Sequence, residues 1–376
     1  FESLSSRKKY IKEIMLKTFA YDLECYKNLF TATFVNVEDE TEEYSFYIGF
    51  DKQDFSDIKK FLNQTITLVG YNNHSYDDPL LRYIQWYKGD SINADLYGIS
   101  TKLVGDFWRG DKEILQLRYP RKVSLKWFSV DLMRILGFDK LGISLKQTAI
   151  NLKWHKIQDL PIHYTAEIKP TQLDLILEYN KNDVLITKKL YEAIEPVRKL
   201  RTELGNMYGI DLSSASDSRV ANLLLENIYS KELKIDIKQI KDLRTPRDFV
   251  KLEHCIAKFV KFDTIPFQDL LDRIEASVVY YNSGYKYSET FFYGGLEFNL
   301  GIGGLHTNDK PGIFVSDDKY LIQDMDVASY YPNLIINNNF YPEHLGPNFI
   351  KILKKITKER IEAKHNGDKV KADGLK

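Results

Sequence analysis

The 376-residue chain has almost no cysteine. Its two, Cys25 and Cys255, give neither a disulfide framework nor the spacing of a zinc site, and so few thiols point to a reducing, intracellular compartment. It also lacks an excess of either charge, because 53 Lys and Arg balance 53 Asp and Glu. The overall basic footprint of an indiscriminate nucleic-acid binder is therefore missing, although an enzyme with an acidic metal site beside a basic path also balances to zero. No apolar run is long enough to span a membrane. The first 18 residues, which include Arg7, Lys8, Lys9, Lys12, Glu13 and Lys17, do not make a signal peptide. Prolines are few, at 11. Aromatics are abundant instead, with 25 Tyr and 21 Phe, residues that serve both a core and base stacking. With 43% hydrophobic and 28% charged residues the composition is that of a soluble globular protein, and the length predicts two domains or slightly more. The first residue is Phe, so the natural start is expected upstream.

The pattern of the first 70 residues predicts an α/β unit. Phe19–Cys25 reads as a strand, and Leu29–Val37 and Tyr44–Phe50 complete an antiparallel meander. Asp54–Asn63 has helical spacing, with Phe55, Ile58, Phe61 and Leu62 on one side, and Thr65–Tyr71 reads as a fourth strand. In such a unit the first strand can lie centrally. Lys126–Leu132 suggests a fifth strand after a helical zone broken near Gly105–Gly110. A long helix follows Pro170, with Thr171 as its cap and Leu173, Ile176, Leu177, Val184 and Leu190 as its buried side. His155 and His163 flank Pro161 in a loop-like stretch and read as surface residues. Residues 201–290 are predicted to be mainly helical, and Tyr320–Val327 a strand.

Four carboxylates stand out from the rest. Asp22 and Glu24 sit two apart on the first strand, so they share a face. Adjacent carboxylates repel unless something positive lies between them, and a hard divalent cation such as Mg²⁺ or Mn²⁺ suits two oxygen ligands. In a chain this acidic, Asp-x-Glu also arises by chance. After the fourth strand comes Tyr71-Asn-Asn-His-Ser-Tyr-Asp-Asp-Pro79. It offers amides from Asn72 and Asn73, a stacking face from Tyr76 and a third carboxylate from Asp77, at a strand end where ligand sites form. It reads equally as an Asn-rich turn into a helix. On the long helix Tyr179 and Asp183 are four apart and share a face. A Tyr and an Asp together can orient a water and hold a metal, and the same spacing fits an ordinary amphipathic edge.

In order along the chain, these segments resemble the three motifs of the DEDDy 3′→5′ exonuclease domain of family B DNA polymerases. Further on, Gln323-Asp-Met-Asp-Val-Ala-Ser-Tyr-Tyr-Pro-Asn333 is similar to that family's first polymerase motif, Asp-x-x-Ser-Leu-Tyr-Pro. Asp326, Ser329, Tyr331 and Pro332 match it, and Tyr330 replaces the Leu. Gly301-Ile-Gly-Gly-Leu-His306 is similar to the glycine-rich linker between the two activities, without its frequent leading Tyr. The second and third polymerase motifs are absent, and Ala372-Asp-Gly-Leu-Lys376 looks like the approach to the second, so the resemblance implies a fragment.

It implies a ribonuclease H-like exonuclease domain over residues 1–200, a mixed sheet flanked by helices. A helical connector over 201–290, the start of an α+β palm over 291–350 and the start of the fingers over 351–376 would follow. Residues 351–376 carry nine Lys or Arg against four Asp or Glu. By the same resemblance Asp22, Glu24 and Asp183 hold one Mg²⁺ or Mn²⁺, Asp22 bridges to a second with support from Asp77, and Tyr179 orients the attacking water. Asn73 and Tyr76 grip the DNA end, and Lys156 lies where the family often has a supporting lysine. Asp326 would bind metal in the polymerase site, and Ser329, Tyr331, Arg360, Lys364 and Lys376 would contact a deoxynucleotide. The implied partners are single-stranded and primer-template DNA, with no membrane. The implied protein is a monomer working in the cytoplasm, of a bacterial host if phage-encoded. Polymerisation by this stretch alone is not expected.

Overall fold

The computed structural model describes residues 16–50, 52–89, 92–105, 111–118, 125–281, 287–301, 303–308, 310–327 and 329–375. Lys376 and most of the expected break at 105–110 lie outside the described residues. The chain forms two compact units, Phe1–Ile228 with Lys358–Lys376, and Tyr229–Thr357. Among the described residues no helix is long and apolar enough to cross a membrane.

The first unit is built on a six-stranded mixed sheet. Its strands are β1 (Thr18–Cys25), β2 (Leu29–Asn36), β3 (Glu43–Gly49), β4 (Lys52–Gln53), β5 (Thr67–Gly70) and β6 (Phe128–Asp131). They lie in the order β4-β3-β2-β1-β5-β6. β1 to β4 run antiparallel in succession, whereas β1 pairs β5 and β5 pairs β6 in parallel. The meander and the inner position of β1 follow the sequence pattern. The two-residue β4 carries no pattern at all and was not foreseeable.

Helices cover both faces. α1 (Phe55–Leu62) and α2 (Asp77–Trp86) pack their Ile58, Phe61, Leu62, Leu80, Leu81 and Ile84 on the face that carries Phe19, Tyr21 and Leu23. Phe34 stands 4.5 Å from Phe61 and stacks on Tyr21 at 5.7 Å. α3 (Asn93–Val104) and α4 (Lys112–Arg118) add Leu96, Ile99, Ile114 and Leu117 to the same cluster. The short α5 (Leu132–Ile135) and α6 (Phe138–Leu141) follow β6, then α7 (Leu145–Asn151), capped by Ser144 and Gln147 in a reciprocal box.

The opposite face is closed by α8 (Leu173–Ala193), whose Val184 meets Ala20 and Val35 and whose Ile176 meets Tyr26 and Leu29. All eight residues of β2 are buried, as a strand covered on both sides must be. Thr171 does not cap α8. A Pro-led 3₁₀ turn, Pro170–Gln172, comes first, and Gln172 Oε1 accepts from Lys169 N at 2.8 Å. α9 (Glu195–Tyr208), α10 (Asp217–Leu233) and α11 (Ile237–Asp242) continue the chain.

The second unit holds a two-stranded ribbon, β7 (Phe249–Lys251) with β8 (Val278–Tyr280), and α12 (Ile265–Glu275). An antiparallel three-stranded sheet follows: β9 (Ser288–Tyr293), β10 (Leu296–Gly301) and β11 (Gly304–Thr307). Among the described residues, 201–290 are mainly helical, as the sequence pattern implied, with only the short β7, β8 and the start of β9 added. The glycine segment makes the tip of the β10–β11 hairpin, with Gly301 opposite Gly304 at φ +138°, a left-handed conformation that favours glycine. Tyr320–Val327 is not a strand. A strand needs a paired edge, residues 320–327 pair with no strand among the described residues, and Leu321, Ile322, Met325 and Val327 stay exposed. α13 (Tyr330–Asn338) and the first part of α14 (Asn348–His365) complete this unit, whereas the end of α14 and α15 (Lys369–Gly374) belong to the first.

Candidate active site

The alternation of β1 decides the site. Its odd-numbered residues Phe19, Tyr21, Leu23 and Cys25 enter the main core, whereas Ala20 faces α8 and Asp22 and Glu24 continue along that side, half-buried. Ala20 is small and lets the helix approach. α8 answers with Tyr179, Asn180 and Asp183. One carboxylate oxygen from each of Asp22, Glu24 and Asp183 lies within 4.8 Å of the others, the one such set among the described residues. Asp77, in the first turn of α2, reaches the same place, and a cleft of about 280 Å³ opens over all four carboxylates.

The electrostatics follow from this crowding. Burial, then the charge of Asp77, with Glu24 and Asp183 adding less, holds the Asp22 carboxyl well above the usual range, while a hydrogen bond from Asn180 works the other way. Burial and then Asp183 and Asp77 raise Glu24, which the Lys146 ammonium eases. Burial, then Asp78, raises Asp77. Asp183 is pushed up to about 6 by burial, restrained by a hydrogen bond from Tyr179 and by Lys146. Burial and the neighbouring Asp183 and Glu24 raise the Tyr179 phenol, so it stays protonated and serves as a donor, not a base. Cys25 lines the cleft, but burial pushes its thiol up to about 12, which rules out a ready thiolate.

The donor set suits a hard divalent cation. Three oxygens around one Mg²⁺ at about 2.1 Å would stand about 3–4 Å apart, which small side-chain rotations reach from a ceiling of 4.8 Å. A cation there relieves the repulsion that raises these carboxyls.

The turn from β5 to α2 separates its two asparagines. Asn73 is fully buried and bonded to Ser129 Oγ at 2.9 Å and Asp78 Oδ1 at 3.3 Å, so it does not face the cleft as the motif spacing implied. Asn72, at φ +61°, lines the cleft, and its N–H donates to Asp131 Oδ1 at 3.1 Å. The physical reason is the left-handed residue. It reverses the chain and turns position 73 inward under Gly70, where there is no room for a Cβ. Tyr76 lines the cleft with its hydroxyl 2.6 Å from Ser100 Oγ.

Lys156 pairs with Glu178 and does not line the cleft. The lysine whose charge reaches Glu24 and Asp183 is Lys146, on α7. Sequence spacing did not single it out, since it belongs to no motif; its Nζ also donates to Asp159 Oδ1 at 2.9 Å. The helix itself follows the sequence pattern, which reads Ser144–Leu152 as helical. Ser100 and Val104 of α3 and Tyr164 also line the cleft, from segments with no motif.

In the second unit Asp326 is exposed within the irregular stretch before α13 and does not share a strand face with Asp324. Ser329, at φ +51°, precedes α13, and the exposed Tyr331 donates to Gly303 O at 3.4 Å. On the end of α14, which belongs to the first unit, Arg360 is half-buried and Lys364 exposed.

No protein-family model matches the chain, and no curated protein matches it. Among solved structures it is similar to phi29 DNA polymerase complexed with single-stranded DNA, at 14% identity and a TM-score of 0.30. The match covers 61% of this chain and 39% of that polymerase.

Proposed function

We propose that the first unit is a ribonuclease H-like 3′→5′ exonuclease that removes terminal nucleotides from single-stranded DNA by two-metal hydrolysis, as the proofreading part of a family B DNA polymerase. The observation that carries the reading is the Asp22, Glu24 and Asp183 set at the floor of an open cleft. The order of the three motifs along the chain supports DNA as the substrate.

In this reading Asp22, Glu24 and Asp183 would hold one Mg²⁺ or Mn²⁺, and Asp22 with Asp77 a second. When bound, the pair supplies Lewis acidity and a water of lowered pKa. The chain's own groups do the rest. Tyr179, kept as a neutral phenol and hydrogen-bonded to Asp183, has a free lone pair with which to orient the attacking water. Lys146 offsets part of the negative charge that a phosphodiester adds to an already acidic site. Asn72, Tyr76 and Tyr164 rim the cleft where the last nucleotide would sit, with an amide for hydrogen bonding and two rings for stacking. The polymerase role of Asp326, Ser329, Tyr331, Arg360, Lys364 and Lys376 is part of the same proposal and depends on motifs that this stretch does not contain.

The test is digestion of labelled single-stranded DNA with Mg²⁺ or Mn²⁺. Replacing both Asp22→Ala and Glu24→Ala is expected to abolish it, and undiminished digestion by that double variant would exclude the site.

A further inference from the structure

Helix α8 sets behind the acidic set a residue that belongs neither to that set nor to the motif spacing. Asn180 is fully buried, and its Nδ2 donates to Asp22 Oδ2 at 2.8 Å. Its own Oδ1 is buried without a partner in the protein. Leaving a buried amide carbonyl unsatisfied is destabilising, and a leucine of similar size would avoid it. What Asn180 contributes is therefore the donor, and the recipient is Asp22. The reverse amide orientation would set a carbonyl against a carboxylate.

The helix does not need this bond to stay in place. Val184 packs against Ala20 and Val35, and Ile176 against Tyr26 and Leu29. Tyr179, Asn180 and Asp183 fall within one turn, so a single stretch of helix carries all three. Asp183 stands beside Glu24, and Asn180 holds Asp22. One helix thus approaches both strand carboxylates and bonds one of them.

We infer that Asn180 is a positioning residue: by occupying Oδ2 of Asp22 it fixes that side chain so that Oδ1 faces a divalent cation shared with Glu24 and Asp183. The inference rests on the two-metal reading above. Partners that orient a metal ligand from behind are worth about 10- to 100-fold in metal affinity.

The experiment is calorimetric titration of Mn²⁺ into the full chain without DNA, with thermal unfolding in EDTA run in parallel. Asn180→Ala and Asn180→Leu are expected to bind Mn²⁺ about 10- to 100-fold more weakly than the unaltered chain. Val184→Ala, which loosens the same helix against the same sheet, is expected to lose stability yet keep Mn²⁺ affinity. Affinities of the Asn180 variants within threefold of the unaltered chain would overturn the inference. So would an equal loss in Val184→Ala, or failure of both Asn180 variants to fold, since either makes the residue structural. No Mn²⁺ uptake by the unaltered chain would instead overturn the two-metal reading itself, a distinct result.

Discussion

Asp183→Asn should make the metal-free protein more stable while destroying its metal site. The Asp183 carboxyl rises from 3.8 to about 6, chiefly because burial penalises its charge. At about 1.4 kcal/mol per pH unit, that shift is a ceiling of about 3 kcal/mol against the folded state. Asp183 is half-buried, and solvent screening reduces the figure to about 1–2 kcal/mol. The sign follows from linkage. Below pH 3.8 both folded and unfolded chains hold the proton and the penalty vanishes; it grows between the two values and is complete above the folded pKa. Asparagine keeps the size, and its carbonyl can still accept from Tyr179. In EDTA at pH 7.5 the variant should therefore melt about 2–8 °C above the unaltered chain, and the gap should shrink to about a third by pH 4.5. Relief of Glu24, which Asp183 also raises, adds in the same direction. Mn²⁺ at about 100 times its dissociation constant should reverse the order, because only the unaltered chain gains about 2.7 kcal/mol from binding. Thermal unfolding at the two pH values, with and without Mn²⁺, checks all of this. A variant no more stable than the unaltered chain in EDTA at pH 7.5, or a gap that ignores pH, would refute the electrostatic account.

Three further outcomes are expected. Tyr179→Phe should lower the turnover of single-stranded DNA by about tenfold or more while leaving Mn²⁺ affinity nearly unchanged, since it removes a water-orienting hydroxyl and no metal ligand; turnover and calorimetry read the two separately. Gly70→Ala should destabilise the fold by about 1–3 kcal/mol in urea unfolding, because its Cβ would sit 2.6 Å from that of Asn73. Asn72→Gly, which keeps the left-handed φ of +61° free of strain, should raise KM for DNA with little change in melting temperature, and Asn73→Ala the reverse, costing about 1–3 kcal/mol through the buried bonds to Ser129 and Asp78.

Much of the first unit was legible in the sequence because its signals are local. Alternation gave β1 to β3, and helical spacing gave α1 and α8 to within a few residues. That Asp22 and Glu24 share a face needed only the period of a strand. The less legible parts depend on distant segments. Asn28 holds Ile168 through two 2.8 Å bonds, which ties the β1–β2 turn to the approach to α8 across 140 residues that show no common pattern. Lys146 bonds Asp159 of that approach at 2.9 Å, a pairing that no local pattern announces. Asn72 and Asn73 are the same residue type, and the left-handed φ of +61° at Asn72 that sends them to different places is not visible in composition. Tyr320–Val327 shows the converse limit, since its strand-like composition did not supply a neighbouring edge.

The adjacent Asp77 and Asp78 show what separates a structural carboxylate from one that can serve chemistry. Asp78 is fully buried and accepts from Tyr21 at 2.6 Å, Ser129 at 2.8 Å, Arg82 at 3.2 Å and Asn73 at 3.3 Å, so its lone pairs are spent on the protein. Asp131 is likewise occupied by the N–H groups of Asn72, His74 and Arg134, with the Arg134 guanidinium at 3.4 Å. These two hold the turn that presents Asp77. The carboxylates at the cleft have few donors: Asp22 accepts from Asn180, Asp183 from Tyr179, and Asp77 from backbone N–H groups, its own and that of Leu23. Buried acids short of donors destabilise a fold unless a cation completes them. Donor count thus sorts two identical neighbours into a strut and a candidate ligand. It also explains why the charge repulsion collects on Asp22, Glu24, Asp77 and Asp183, the groups with oxygens left to offer.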